Sequence, residues 1–316
     1  NGKLVEIVIG EKDNDPVFTI PDILPHLAGK IQGDRKSGEV IKGEELQILV
    51  GSIPSTIEDK EIKEKIKYTV LEILNRDYGM VEEDFISAEL ELVPAGKARD
   101  LGFDKSMIGA YGQDDRICGY TSMRAITDLE KTPDKTAICF LADKEEIGSA
   151  GSTGLKSDYI NYVTGDLLEK VKGNYNEMML RRTLWNSNAM SSDVNAGIDP
   201  IFRSVHDAQN AAKIGYGVVV TKYTGARGKS STNDADAEYV GKIRKILNDA
   251  KVNWQIGELG KVDEGGGGTV AMYLAELGIH TIDIGPALLA MHSPFEVSSK
   301  LDVYETYRAY KAFYRS

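Results

Sequence analysis

The spacing of apolar and polar positions divides the chain into two stretches of different character. Residues 1–9 alternate in the two-residue period of a half-covered strand, and Glu45–Val50 and Phe85–Val93 are similar runs. Between the last two, Ile62, Ile66, Val70, Ile73 and Leu74 keep helical spacing, with Glu and Lys on the other face. Ser55 or Thr56 is placed to cap that helix, and Tyr78-Gly79 to stop it. Pro21 and Pro25 make Phe18–Leu27 a rigid extended segment that presents His26. Strands with one amphipathic helix predict a small α+β unit over residues 1–95, ending at the break Pro94-Ala-Gly96.

Beyond that break the pattern changes. Ile117, Tyr120, Met123 and Ile126 predict a helix, at whose start Asp114 can serve as the cap, as a carboxylate aimed into a cleft, or as both, one oxygen capping while the other binds a cation. Thr136–Ala142 is an apolar run that predicts a buried strand. Helices follow near 156–172 and 175–185, and the strand Trp185–Asp193 delivers Asp193 at its end. Next come a loop with His206, a strand at Gly215–Lys222, a polar loop starting at Arg227, a helix at Asp234–Ala250 and a strand at Val252–Ile256. Gly265–Gly268 precedes the helix Thr269–Leu277, and Thr281–Ile284 is expected to be the last strand, with a loop over 288–296. A terminal helix capped by Ser298 or Ser299 turns Leu301, Tyr304, Tyr307 and Phe313 inward. This alternation predicts, for residues 96–316, an α/β sheet flanked by helices.

Composition narrows the partners. Of 316 residues, 41% are hydrophobic and 28% charged, which is ordinary for a water-exposed globular chain. No apolar run approaches the roughly 18 residues that a membrane span needs, and no basic, apolar leader opens the chain. A net charge of −11 without a Lys/Arg cluster argues against nucleic acid. Cys118 and Cys139 make no disulfide framework, which points to a reducing, cytoplasmic setting. The chain begins Asn1-Gly2 without Met and enters a strand at once, so the fold is expected to continue upstream.

Several chemistries find no support. No Gly-Lys-Ser/Thr follows the glycine run, and there is no Gly-x-Ser-x-Gly elbow, Cys-x-x-Cys or His-Glu-x-x-His. What remains is a series of carboxylates and one imidazole at expected element ends: Asp114, Glu145, Glu146, Asp193 and His292. Such ligands suit zinc, cobalt or manganese. In Leu141-Ala-Asp-Lys-Glu-Glu-Ile-Gly-Ser149 the adjacent acids Glu145 and Glu146 can divide labour, one holding metal and one moving protons. A solvated acidic turn is the plain alternative for that stretch taken alone.

Four motifs in order, Gly112-Gln-Asp-Asp-Arg116, Asp143-Lys-Glu-Glu-Ile-Gly-Ser149, Ser191-Ser-Asp-Val-Asn-Ala196 and Met291-His-Ser-Pro294, resemble the M18 family of metallo-aminopeptidases, of the aminopeptidase I or aspartyl aminopeptidase type. Ile20-Pro-Asp-Ile-Leu-Pro-His-Leu27 is similar to that family's dimerisation-domain signature. The resemblance implies a zinc-peptidase-type mixed sheet over 96–316 with a smaller inserted dimerisation domain in 1–95. It implies two zinc ions, replaceable by cobalt or manganese, bridged by Asp114, with Glu146 and His292 on one and Asp193 on the other. Glu145 is then the general base and acid, and His26 enters a partner's active site. Asp115 and Arg116 orient ligands. The substrate is a peptide that loses N-terminal residues, and the protein a homo-oligomer built from dimers, up to a dodecamer. The family's fifth ligand lies in a His-x-Asp motif; none occurs here, and the other histidines, His206 and His280, lie outside that pattern. A non-catalytic fragment or assembly subunit therefore stands as an alternative; another keeps the metal cluster and makes the protein a metal-dependent amidohydrolase acting on N-acyl substrates. Arg227, Lys229 and Lys261 lie in loops as candidate pocket residues.

Overall fold

The structure, a computed structural model, describes residues 3–225 and 229–316; Arg227 lies outside them. The chain divides into two compact units, Asn1–Ala95 and Gly96–Ser316.

The first unit contains a one-turn helix α1 (Pro25–Ala28) and a longer helix α2 (Lys65–Tyr78). Gly79 ends α2 in the left-handed region, φ +72°, its N–H donating to the Asn75 carbonyl, as the Tyr78-Gly79 stop predicts. The start differs from expectation: the Ser55 hydroxyl accepts from the Ile57 N–H, and the helix begins ten residues later. Among the described residues the three expected strands form no ladder. Thr19 and Leu49 make a single antiparallel bridge, and Glu82–Ile86 is a 3-10 turn. An alternating segment becomes a strand only when its apolar face is covered and its N–H groups find an edge. Among the described residues of this unit no side chain is buried; Leu4, Ile53, Ile86 and Leu90 stand exposed.

The second unit holds two sheets. The first contains β1 (Arg99–Leu101), β2 (Met107–Ala110), β4 (Asn195–Ala196), β8 (Ala287–Leu289) and β9 (Glu296–Ser299), in the order β1-β2-β9-β8-β4. The second contains β3 (Asn188–Ser191), β5 (Val218–Thr221), β6 (Trp254–Ile256) and β7 (His280–Gly285), in the order β3-β7-β5-β6. Both mix parallel and antiparallel pairs. The helices are α3 (Gln113–Thr127), α4 (Tyr159–Lys172), α5 (Glu177–Trp185), α6 (Ala237–Asp249), α7 (Ala271–Glu276) and α8 (Lys300–Tyr314). The main core joins Val218, Val220, Ile282 and Ile284 of the second sheet to Tyr239, Ile243 and Leu247 of α6 and to Ala309 and Tyr310 of α8. The α/β expectation for residues 96–316 therefore holds.

Three local expectations change. Thr136–Ala142 forms no ladder; Ile138 and Leu141 are exposed. The loop expected over 288–296 shortens to 290–295 between two further strands, β8 and β9, which pair with each other antiparallel and are too short to show a period. Finally, the inward face of α8 holds only in part: Tyr307 and Phe313 pack against the main core as expected. Leu301 and Tyr304 face out, while Asp302 and Glu305 are buried. Asp302 accepts from the Gly215 and Gly217 N–H groups at 2.6 and 2.7 Å, and Glu305 from the Asn253 N–H at 2.9 Å. Carboxylates that satisfy buried backbone donors belong inside, which an apolar pattern does not register.

Candidate functional site

Each candidate side chain owes its place to a break in regular backbone. After β2, Gly112 takes φ +64°, and the chain enters α3 through two residues that are not helical, Asp114 (φ −82°, ψ 106°) and Asp115 (φ −124°, ψ 45°). The peptide between them is cis. Asp114 makes no capping hydrogen bond. Asp115 takes that part, its Oδ1 accepting from the Cys118 N–H at 3.3 Å. The Asp114 carboxylate is thereby left free of the cap.

Glu145 and Glu146 stand on a 3-10 turn, Glu145–Ile147, bracketed by left-handed Lys144 and Gly148. Asp193 follows β3 by two residues. Its backbone approaches β7 where Gly285 leaves room: a Cβ there would lie 1.9 Å from the Asp193 carbonyl oxygen. His292, at φ +66°, lies in the turn between β8 and β9.

These breaks bring the carboxylates and the imidazole together. His292 Nε2 lies 2.9 Å from Asp114 Oδ2 and 3.5 Å from Glu146 Oε2. Two groups of donor atoms form, each within 4.8 Å: Asp114 with Glu146 and His292, and Asp114 with Asp115 and Asp193. Asp114 belongs to both, and its side chain is only 8% exposed.

Crowding of like charges with little water raises the acids. Burial first, and the Glu146 charge second, push Asp114 up to about 6, against the pull of His292. Burial holds Asp115 and Asp193 well above the ordinary carboxylate range, and Glu145 is raised by desolvation and by Glu146. Such a cluster invites cations, which replace the missing counter-charge.

The other candidates belong to neither donor group. His26 is exposed on α1, in the first unit. His206 accepts from the Asp199 N–H, and His280 pairs with Asp236. Lys229 is held by Asp234. Gly285 and Glu296 went unread in the sequence. Glu296 is 2% exposed and accepts from the backbone N–H groups of both Asp114 and His292. Their roles depend on pairings far apart in the chain; the only local signal was Glu296 closing the Met-His-Ser-Pro segment.

Carboxylates and one imidazole converging beside mixed α/β sheets supply the donor chemistry of a divalent-metal hydrolase. The family model of aminopeptidase I zinc metalloprotease (M18) matches residues 2–314. A probable M18 family aminopeptidase 1 of Borrelia garinii subsp. bavariensis is 58% identical over 316 residues, all of this chain and 68% of the relative. The crystal structure of an M18-family aminopeptidase from Thermotoga maritima superposes with a TM-score of 0.93 at 51% identity, over 99% of this chain and 68% of that one. Aminopeptidase I from Clostridium acetobutylicum gives a TM-score of 0.90 at 51% identity, over 100% and 67%. The chain belongs to the M18 family of zinc metallo-aminopeptidases.

Proposed function

We propose that the site holds two zinc ions and removes N-terminal residues from peptides. The observation that carries this reading is the place of Asp114 in both donor groups, since a two-metal centre needs one shared carboxylate. Glu146 and His292 complete one side and Asp193 the other; the donors are oxygen and imidazole, which zinc accepts and cobalt or manganese share. Zinc bound there acts as a Lewis acid and lowers the pKa of water to about 7.

The chain's own residues supply the rest. Glu145 lies outside both donor groups while its neighbour Glu146 lies inside one. It is therefore free to take a proton from the attacking water and return it to the leaving amine. Asp115, tied to the Cys118 N–H, holds the backbone that aims Asp114. Exposed Leu27, Ile53 and Ile86 in the first unit support a dimerisation role for residues 1–95, with His26 entering the partner's site. A yeast mApe1 dodecamer shares the fold at 20% identity and a TM-score of 0.65, consistent with dimers as building blocks of a larger homo-oligomer.

The test pairs two variants. Glu145→Gln should keep bound zinc and lose on the order of 10²–10⁴ in turnover; near-normal turnover would remove Glu145 as the base. Asp114→Ala should lose zinc and rate together, and full zinc occupancy would refute a shared ligand. Cleavage of an N-acetylated substrate as fast as its free-amine form would favour an amidohydrolase over an aminopeptidase.

A further inference from the structure

We propose that Glu296 is a positioning residue that sets the spacing of Asp114 and His292 for metal binding. The inference rests on the two-zinc reading and deepens it.

The two ligands arrive from opposite ends of the second unit's sequence, one after β2 and one before β9. A single side chain joins them. Glu296 Oε2 accepts from the Asp114 N–H at 3.0 Å, and Oε1 accepts from the His292 N–H at 2.8 Å. The Glu296 main chain strengthens the bracket: its carbonyl accepts from Gln113 Nε2 at 2.7 Å, and the same Nε2 donates to the Ile108 carbonyl at 3.1 Å. Gln113 Oε1 in turn accepts from the Ser298 hydroxyl. The residue before Asp114 is thus bound to both β2 and β9, and Ala110 faces Glu296 across the ladder. Phe295 packs so closely over Gly109 that a Cβ there would lie 2.4 Å from its ring, which leaves the turn carrying His292 little freedom.

Glu296 is 2% exposed, and among the described residues no Lys or Arg pairs with it. A buried carboxylate without a counter-ion is costly. Only a carboxylate offers two equivalent acceptors at this spacing. Glutamine offers one acceptor and sets an N–H₂ against the other N–H; aspartate is one methylene too short to keep both. The negative charge also lies directly behind two candidate ligands, where it favours a cation in front of them.

Glu296→Gln and Glu296→Ala would be compared with the unaltered protein and with Asp114→Ala. Zinc affinity would be measured by chelator competition, the visible absorption of the cobalt-substituted protein recorded, and the metal-free fold followed by circular dichroism and Tm. Both Glu296 variants should bind zinc on the order of 10–100-fold more weakly, alanine more so than glutamine. Their cobalt bands should shift while the metal-free Gln variant keeps the unaltered protein's circular dichroism. A role confined to holding the sheet would lower the metal-free Tm but leave zinc affinity and cobalt spectrum unchanged, and that result overturns the proposal. If the Ala variant does not fold, the Gln variant decides by the same criteria. Unaltered zinc binding in Asp114→Ala would instead sink the two-zinc reading, and this inference with it.

Discussion

Asp283 shows how much a single buried group costs in this unit. It is 3% exposed at the centre of the second sheet, with Oδ1 accepting from the Thr269 hydroxyl at 2.7 Å and Oδ2 without a hydrogen-bonding partner among the described residues. Burial pushes its acid up to about 6 against the pull of the Thr269 hydroxyl. The folded state therefore prefers the neutral acid. The associated stability is present below the unfolded value of 3.8 and is lost as pH rises through about 6. A shift of that size corresponds to about 3 kcal/mol. Asp283→Asn keeps the acceptor for Thr269 and removes the charge. It should unfold at higher urea than the unaltered protein at about pH 8 and at a similar concentration at about pH 4. Equal midpoints at both pH values would show that Asp283 pays no such penalty.

At the scale of elements, most helices of the second unit were legible, because α3, α4, α5 and α6 each keep a 3.6-residue period over several turns. The face of α8 was legible only in part, since its inward side also carries Asp302 and Glu305. The junction of β3 and β7 carries a sharper constraint. A methyl at Gly285 would meet the Asp193 carbonyl at 1.9 Å and Cys118 Sγ at 3.0 Å. Gly285→Ala is expected to displace Asp193, lowering both Tm, by about 1–3 kcal/mol of stability, and zinc content measured by elemental analysis. Full zinc content would show that the backbone yields without moving the ligand.

At the scale of the molecule, the chain resolves into two units, and the proposed chemistry draws on both. If His26 acts in a partner's site, His26→Ala and Glu145→Gln homomers should each be weakly active. Co-assembly of the two from mixed unfolded chains should recover activity, because some sites then combine an intact His26 with an intact Glu145. Failure to recover in assemblies shown to be mixed would confine each site to one chain. Zinc removal supplies a second measure: chelation should abolish activity and lower stability by about 4 kcal/mol relative to protein with zinc at a thousandfold excess over Kd. A Tm that does not respond to zinc would rule out a metal centre coupled to folding.

The residue types and their order along the chain determined the α/β class of residues 96–316 and pointed to Asp114, Glu146, Asp193 and His292 as candidate metal donors with Glu145 beside them. Periodicity and side-chain chemistry are local properties, and the family motifs are contiguous. Only the tertiary structure decided that Asp115 rather than Asp114 takes the capping hydrogen bond, that Asp114 is common to both donor groups, that Glu296 accepts from the backbones of Asp114 and His292, and that Gly285 leaves room for the backbone of Asp193. The same holds for the strands expected in the first unit and at Thr136–Ala142. A strand is completed by a neighbouring edge and a site by convergence, and neither partner is written next to the residue it serves.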